Sequence, residues 1–371
     1  MPGSLPRFPE LKETFTMVSF RTLWFSAVVV AGLSVPGTAD SQTPGPVRVG
    51  VLGLDNFQAV AFTQLFNDPK AIGDLAGVRV VTAYAAPASA DIPESVDNLP
   101  KWKSQITKFD VRLVGSVDEL LQSCDAVMIM SLDGRKHLEQ ATQVLKAGKR
   151  LYIGRPLAAS FAEALAIIGV ARDTKTPCWT SSQHRFSPGF IGMRNHPEVG
   201  KVQGCDVYGG CPIEPHHAEL FWHGIHGVET LITIMGPGCE SVRCTSTPFA
   251  ESITGVWADG RVGTYRGIKT GSIKYSATVF GDRGVSTSGI YGHGVPVKGI
   301  VPVNDKYMGY EGIALEMARF FKGGATPVSA AETLEVFAFM EAAHESKRKK
   351  GASVALAQVL EQAKKKGTVS R

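Results

Sequence analysis

The sequence predicts an α/β fold: an N-terminal Rossmann-like, doubly wound parallel sheet, followed by an α+β half with a mostly antiparallel sheet. Three observations carry this. Residues 125–158 read as strand, loop, helix, Gly turn and strand, which is one parallel βαβ unit. Strand-like and helix-like runs alternate from Val47 to Ser182. After Phe186-Ser187-Pro188 the texture changes to short β-rich runs, two of them joined by the hairpin signal Asp259-Gly260.

The elements follow in order. Val47 to Leu52 is a strand, and Gly53 ends it before the helical pattern Ala59 to Phe66. Val78 to Tyr84 and Val111 to Val114 are further strands, with a helix from Val117 to Ser123. Residues 87–108 interrupt this rhythm and read as an insertion carrying a helix with Trp102. In the opening unit, Ala126 to Met130 is apolar, and Leu138, Ala141, Thr142 and Leu145 recur at helical spacing. Ala147-Gly148 stops that helix, Arg150 to Ile153 is the next strand, and Cys178 to Ser182 closes the sheet. In the second half, runs at 204–208, 241–245, 253–257, 262–267 and 273–280 are β-like. Ser329-Ala-Ala-Glu332 is a capping box opening a helix from Glu332 to His344.

A chain of 371 residues with 44% hydrophobic content buries ample core for two domains, expected at 47–180 and 181–345, with 346–371 as a tail. The net charge of +5 is spread along the chain, and the run Lys347-Arg348-Lys349-Lys350 suits the C-terminal end of a helix. No nucleic-acid partner is expected. Arg21, the apolar run Leu23 to Leu33 and the small residues Pro36-Gly37-Thr38-Ala39 follow the order of a secretory signal. Residues 1–39 are thus expected to direct Sec-type export to the periplasm or beyond, with Met17 as the preferred start and no membrane association after removal. Export permits disulfides among six cysteines, with Cys205, Cys211, Cys239 and Cys244 as first candidates and free buried thiols as the alternative.

The segment 125–158, with Gly154-Arg155-Pro156 at its second strand's end, resembles the Gfo/Idh/MocA oxidoreductases, the glucose–fructose oxidoreductase and inositol dehydrogenase family. The likeness extends from about Val47 to the C-terminus. It implies NAD or NADP as cofactor, a sugar, polyol or related hydroxyl compound as substrate, and association through the second sheet. It also implies that the late helix 332–344 packs back on the first domain. In that family the strand ends in Glu-Lys-Pro or Asp-Lys-Pro, with the lysine reaching nicotinamide and substrate. Arg155 stands in its place, and an arginine binds or polarises but does not act as a base.

Gly53-Leu54-Asp55-Asn56-Phe57-Gln58 occupies the place of a GxGxxG loop, which needs a tight turn and close approach to a pyrophosphate. Only the first glycine is present. Asp55 is expected to point away from phosphate or to cap the following helix. Tyr84-Ala85-Ala86-Pro87 supplies neither an acid for a ribose nor an arginine for a 2′-phosphate. Ser131, Leu132, Asp133 and His137 match the family's loop along the nicotinamide, with Gly154 opposite. His137 is also readable as a helix-start residue and Asp133 as an N-cap.

Glu214 to Glu229 is the densest stretch, with His216, His217, His223 and His226. It resembles the family's Asp-x-Gly-x-His-x-x-Asp helix, with Gly224 and His226 in register and Trp222 where the acid belongs. Arg155, His226 and His223 are the expected catalytic groups, His226 exchanging a proton near neutral pH. Trp222, Phe221 and Trp179 are either sugar-stacking faces or core. Two other readings stand beside the oxidoreductase. One is a catalytically silent carbohydrate-binding protein. The other is a hydrolase or lyase with a metal on His217, His223 and His226.

Overall fold

The computed structural model describes residues 45–289 and 309–369; the expected signal segment lies outside them. Two sheets organise these residues. The first is built from β1 (Val47–Leu52), α1 (Phe57–Phe66), β2 (Val78–Tyr84), α2 (Pro93–Ile106), β3 (Arg112–Val114), α3 (Val117–Ser123) and β4 (Ala126–Ile129). It continues through α4 (His137–Lys146), β5 (Arg150–Ile153), α5 (Phe161–Asp173) and β6 (Cys178–Thr180). All pairings are parallel, in the order β3-β2-β1-β4-β5-β6. The chain reverses direction between β1 and β4, and a crevice at such a switch point, beyond the strands' carboxyl ends, is where Rossmann folds take ligands.

A short helix, α6 (Pro188–Ile191), leads to β7 (Val202–Gly210), a π turn at Leu220–Gly224 and α7 (Ile225–Met235). Then come β8 (Cys239–Ser246), β9 (Ala250–Trp257), β10 (Val262–Ile268), β11 (Ser276–Gly281) and β12 (Val285–Gly289). The C-terminal elements are α8 (Glu311–Phe321), α9 (Ala330–Arg348), β13 (Val354–Ala355) and α10 (Leu356–Val369). The second sheet runs β12-β11-β7-β10-β9-β8-β13, antiparallel except for β10 against β7. The Asp259-Gly260 turn joins β9 to β10, with Gly260 at φ 85°.

The helix that returns to the first sheet is α8. Its Ile313, Met317 and Phe320 pack with Phe62, Tyr152 and Trp179. The helix expected in that role, α9, also reaches the first part, packing on α5. Val336, Phe337, Phe339 and Met340 of α9 share a core with Val242, Ile253 and Trp257 of the second sheet and with Phe161, Ala164 and Ile167 of α5. Ser329 Oγ accepts from the Glu332 amide at 3.1 Å, the expected cap, although α9 runs to Arg348. Residues read as a tail form β13 and α10 instead. Three residues of the basic run are paired: Lys347 meets Glu219, Arg348 meets Glu345 at 2.7 Å, and Lys349 meets Glu345 at 3.2 Å.

The six cysteines are free, so the expected pairings are also corrected. Their sulfurs face different neighbours: Cys211 lies against Gly224, Cys239 against Gly255, and Cys244 donates to Glu251 at 3.2 Å. No helix among the described residues is long and apolar enough to cross a membrane.

Candidate active site

The turn after β1 is closed by its neighbours. Gly53 has φ 91°, and a Cβ there would lie 2.4 Å from the Ser131 backbone nitrogen, so β1 and β4 turn out against each other at bare backbone. The Asp55 carboxylate does not cap α1. It accepts from the Leu132 amide at 3.0 Å and from Ser95 Oγ of α2 at 2.5 Å. Asn56 is the cap, its Oδ1 accepting from the Gln58 amide at 3.0 Å. Gly53, Leu54, Asp55 and Asn56 are all buried, and only Phe57 is exposed.

Burial of this turn comes from the insertion. Segment 87–106 lies over both loops that border the β1–β4 crevice. Ser89 Oγ donates to Asp133 at 2.6 Å, and Arg135 pairs with Asp91 at 2.7 Å and with Asp133 at 2.7 Å. Ile92 packs with Leu132 and Trp222, while Trp102 of α2 stacks on Phe57 with ring centroids 5.1 Å apart. Trp222 therefore fills the space under the insertion rather than facing a sugar. Phe221 packs on Phe337 and Trp179 on Tyr152, so these are core aromatics too.

His137 faces the interior. Its Nδ1 lies 2.9 Å from Pro156 O and its Nε2 2.9 Å from Ser131 O, tying the β4 and β5 loops together. Its ring is completely buried and its pKa is lowered by that burial, so it is a brace rather than a cofactor contact. Asp133 is the N-cap of the next turn, accepting from the Arg135 amide at 2.9 Å. Burial works against the Asp133 charge, but His217, Arg135 and Ser89 hold its pKa well below the usual range.

Deeper, at the ends of β5 and β6, four rings gather round Arg155. His184 lies 4.9 Å from His226 and 4.3 Å from Tyr275, and His223 lies 5.8 Å from His226, centroid to centroid. His226 Nδ1 is 2.5 Å from Ser182 Oγ. Below it, the buried Glu229 accepts from the Ser182 amide and faces Arg185 at 3.5 Å. Arg185 also bonds Glu332 at 2.5 Å, which locks the loop after β6. Burial, with Arg155 nearby, lowers His184 and His223 to about 3 and holds His226 well below the usual imidazole range. The expectation that His226 titrates near neutral pH is corrected: it stays neutral and works as a hydrogen-bond partner.

The metal reading is corrected as well. Among the described residues no group of three His, Cys, Asp or Glu side chains has an arrangement that could hold a metal ion. His217 instead sits between Glu214, 2.6 Å from Nδ1, and Asp133, 3.2 Å from Nε2. Burial disfavours its charge, but the two carboxylates outweigh this and raise its pKa.

These shifts give a sign for acid stability. His184 and His223, at about 3, must each gain a proton on unfolding below the unfolded value of about 6.5. Their stabilisation is present above that pH and is lost as pH falls towards 3. Each adds a slope approaching about 1.4 kcal/mol per pH unit within this window. Urea midpoints between pH 7 and pH 5 are expected to fall, and His184→Asn to reduce the slope. An equal slope in that variant would assign the effect elsewhere.

The sequence reading missed His184 and Tyr275. His184 carried a usable signal, a polar Gln183-His184-Arg185 run directly beyond a core strand. Tyr275 carried none, because it stands in a strand-like run far in sequence from every motif read for chemistry. It enters through packing on the bare backbone of Gly209 and Gly210.

The comparisons with known proteins agree with this architecture. Residues 47–182 match the profile of the oxidoreductase family with an NAD-binding Rossmann fold, Gfo/Idh/MocA. Through this part the chain matches that family's model. No curated protein sequence matches it. Among solved structures it is similar to Lactobacillus casei myo-inositol dehydrogenase in complex with NAD(H) and myo-inositol. That match has a TM-score of 0.65 at 16% identity, covering 84% of this chain and 96% of the other. Scyllo-inositol dehydrogenase from the same organism matches with a TM-score of 0.65 at 15% identity, covering 84% and 99% of the two chains. An Agrobacterium radiobacter oxidoreductase in complex with NAD+, L-tartaric acid and magnesium has a TM-score of 0.63 at 15% identity, covering 84% and 99%. At such identities the likeness is one of fold.

The NAD of this family meets a divided site here. At the adenosine end of the crevice, a cavity of about 360 Å³ opens between Leu52, Tyr84, Ala86, Val117 and Gln140. The phosphate stretch is occupied and covered by the chain's own groups. Asp55 fills the second glycine's place, Asn56 occupies an α1 amide, and segment 87–106 covers both.

Proposed function

We propose that this protein is an oxidoreductase acting on a hydroxyl group of a sugar, polyol or related small molecule, with a cofactor crevice covered by its own segment 87–106. NAD or NADP, when bound, supplies the hydride acceptor. This chain's residues bind and orient: Arg155 polarises the substrate oxygen, and neutral His226, aligned by Ser182, hydrogen-bonds it. His223 and His184 stand beside His226. The single observation that carries this reading is the convergence of Arg155 and these histidines beyond β5, bordering the β1–β4 crevice. Gly53, Leu54, Ser131, Leu132 and Gly154 are the backbone that would lie along the dinucleotide once the cover is displaced.

A second reading, ligand binding without hydride transfer, is favoured by the complete burial of Gly53 to Asn56. The two separate on the natively purified chain. Mass spectrometry for NAD(P), followed by reduction of added NAD+ in the presence of inositols and aldoses, tests the first. Turnover that disappears in Arg155→Ala supports it. No turnover with any of them, in the parent or in variants with a loosened cover, leaves the binding protein. Export by residues 1–39 and association through the second sheet belong to the same proposal. They rest on the segment's composition and on resemblance to the family, and are tested by cell fractionation and sedimentation.

A further inference from the structure

Arg155 differs from every other deeply buried cation in the described residues. Arg185 meets Glu229 and Glu332, and Lys269 meets Glu251 at 2.5 Å. Arg155 is 8% exposed, and its Nε and Nη1 are buried with no hydrogen-bond partner. No carboxylate pairs with it among the described residues. A guanidinium does not shed its proton, so this charge is one that burial cannot neutralise. Other polar atoms are left open in the same region: Nδ1 of His184, Oγ1 of Thr180 at the end of β6, and Oε1 of Gln58, which faces Gly154. Buried polar groups in folded proteins are normally satisfied, so such a group of open donors and acceptors marks a place where a ligand completes the bonding.

We propose that this pocket selects a polyhydroxylated compound bearing one singly charged oxyanion, a sugar acid being the class that fits, with the oxyanion on Arg155. One permanent cation and neutral imidazoles balance one negative charge. A dianionic phosphate would leave an uncompensated charge buried. Planar carboxylate oxygens suit a guanidinium, and the open groups on His184, Thr180 and Gln58 suit hydroxyls. This deepens the proposed function, since it concerns the same pocket, yet it is tested without any dinucleotide.

The test is calorimetry on the full chain with D-glucuronate and D-gluconate, their neutral counterparts D-glucose and D-glucitol, and the 6-sulfate and 6-phosphate of D-glucose. At least one acid or the sulfate is expected to bind at least tenfold tighter than its neutral counterpart. Arg155→Met is expected to erase that preference and Arg155→Lys to keep it. A carboxylate or a sulfate as best ligand identifies the source of the charge. Equal binding of acid and neutral forms, tightest binding of the phosphate, or no binding at all overturns the proposal. A second readout is independent of ligand choice. Arg155→Met is expected to raise the melting temperature of the ligand-free protein, because a bare buried charge is removed. A lowered melting temperature overturns the claim that the charge is bare. Oxidation of neutral polyols without acid preference would sink this inference and leave the proposed function standing. Acid binding without turnover would do the reverse.

Discussion

Trp102→Ala is expected to tighten NADH binding by between about tenfold and a hundredfold while lowering stability. Trp102 is 9% exposed, stacks on Phe57 at 5.1 Å and anchors α2 over the phosphate turn. Truncating a buried tryptophan costs about 3 kcal/mol, here concentrated in the segment that must move. If the covered and uncovered states are in equilibrium, NADH binds only the uncovered one, and its apparent affinity scales with that population. Weakening the cover by about 3 kcal/mol raises the population by up to about a hundredfold, until the uncovered state predominates. Asp55→Gly acts at the same place by another route. It removes the bond to Ser95 and a carboxylate from the phosphate stretch. Fluorescence titration with NADH reads both variants, and unchanged affinity in both would separate the cover from the cofactor.

Gly227→Ala is expected to destabilise the protein by about 3 kcal/mol, among the largest effects of any single methyl group in this chain. A Cβ at Gly227 would lie 2.0 Å from Cε2 of Tyr265, so the bare backbone of α7 rests there on the Tyr265 ring of β10. Tyr265 has no room to yield. It is 1% exposed, and its hydroxyl donates to Gly210 O at 3.1 Å. The methyl would push α7 off the sheet, and α7 carries both His226 and Glu229. Urea unfolding is expected to show a lower midpoint with an unchanged slope. Tyr265→Leu in the Gly227→Ala background should recover part of the loss, since the two residues occupy one volume. Full additivity would place the strain elsewhere.

The parallel sheet was legible because its pattern is local. β1, β2 and α3 fall on the residues that periodicity predicts, and Gly148, at φ 69°, ends α4 where the Ala147-Gly148 pair predicts. The insertion at 87–108 and its Trp102 helix were legible as an interruption, but not what they cover, because Ser95 reaches Asp55 across forty residues of chain. Asp55 is expected from the sequence to point away from phosphate or to cap α1. The structure gives it partners, Leu132 and Ser95, that no local pattern announces. Arg155 and His226 were found through resemblance, and the protonation of His226 was not, since it depends on burial by elements far apart in sequence. His217 shows the same limit. Its neighbour Glu214 is local, whereas Asp133 comes from the other sheet.

The central claim is that segment 87–106 and a dinucleotide compete for one place, and backbone hydrogen exchange of the unmodified full chain tests it most directly. With saturating NADH, amides in 87–106 are expected to exchange faster than in its absence, because the bonds of Ser89 to Asp133, Ser95 to Asp55 and Arg135 to Asp91 must break. Unchanged or slower exchange there with NADH bound, or no NADH binding by either the parent or Trp102→Ala, would contradict the account.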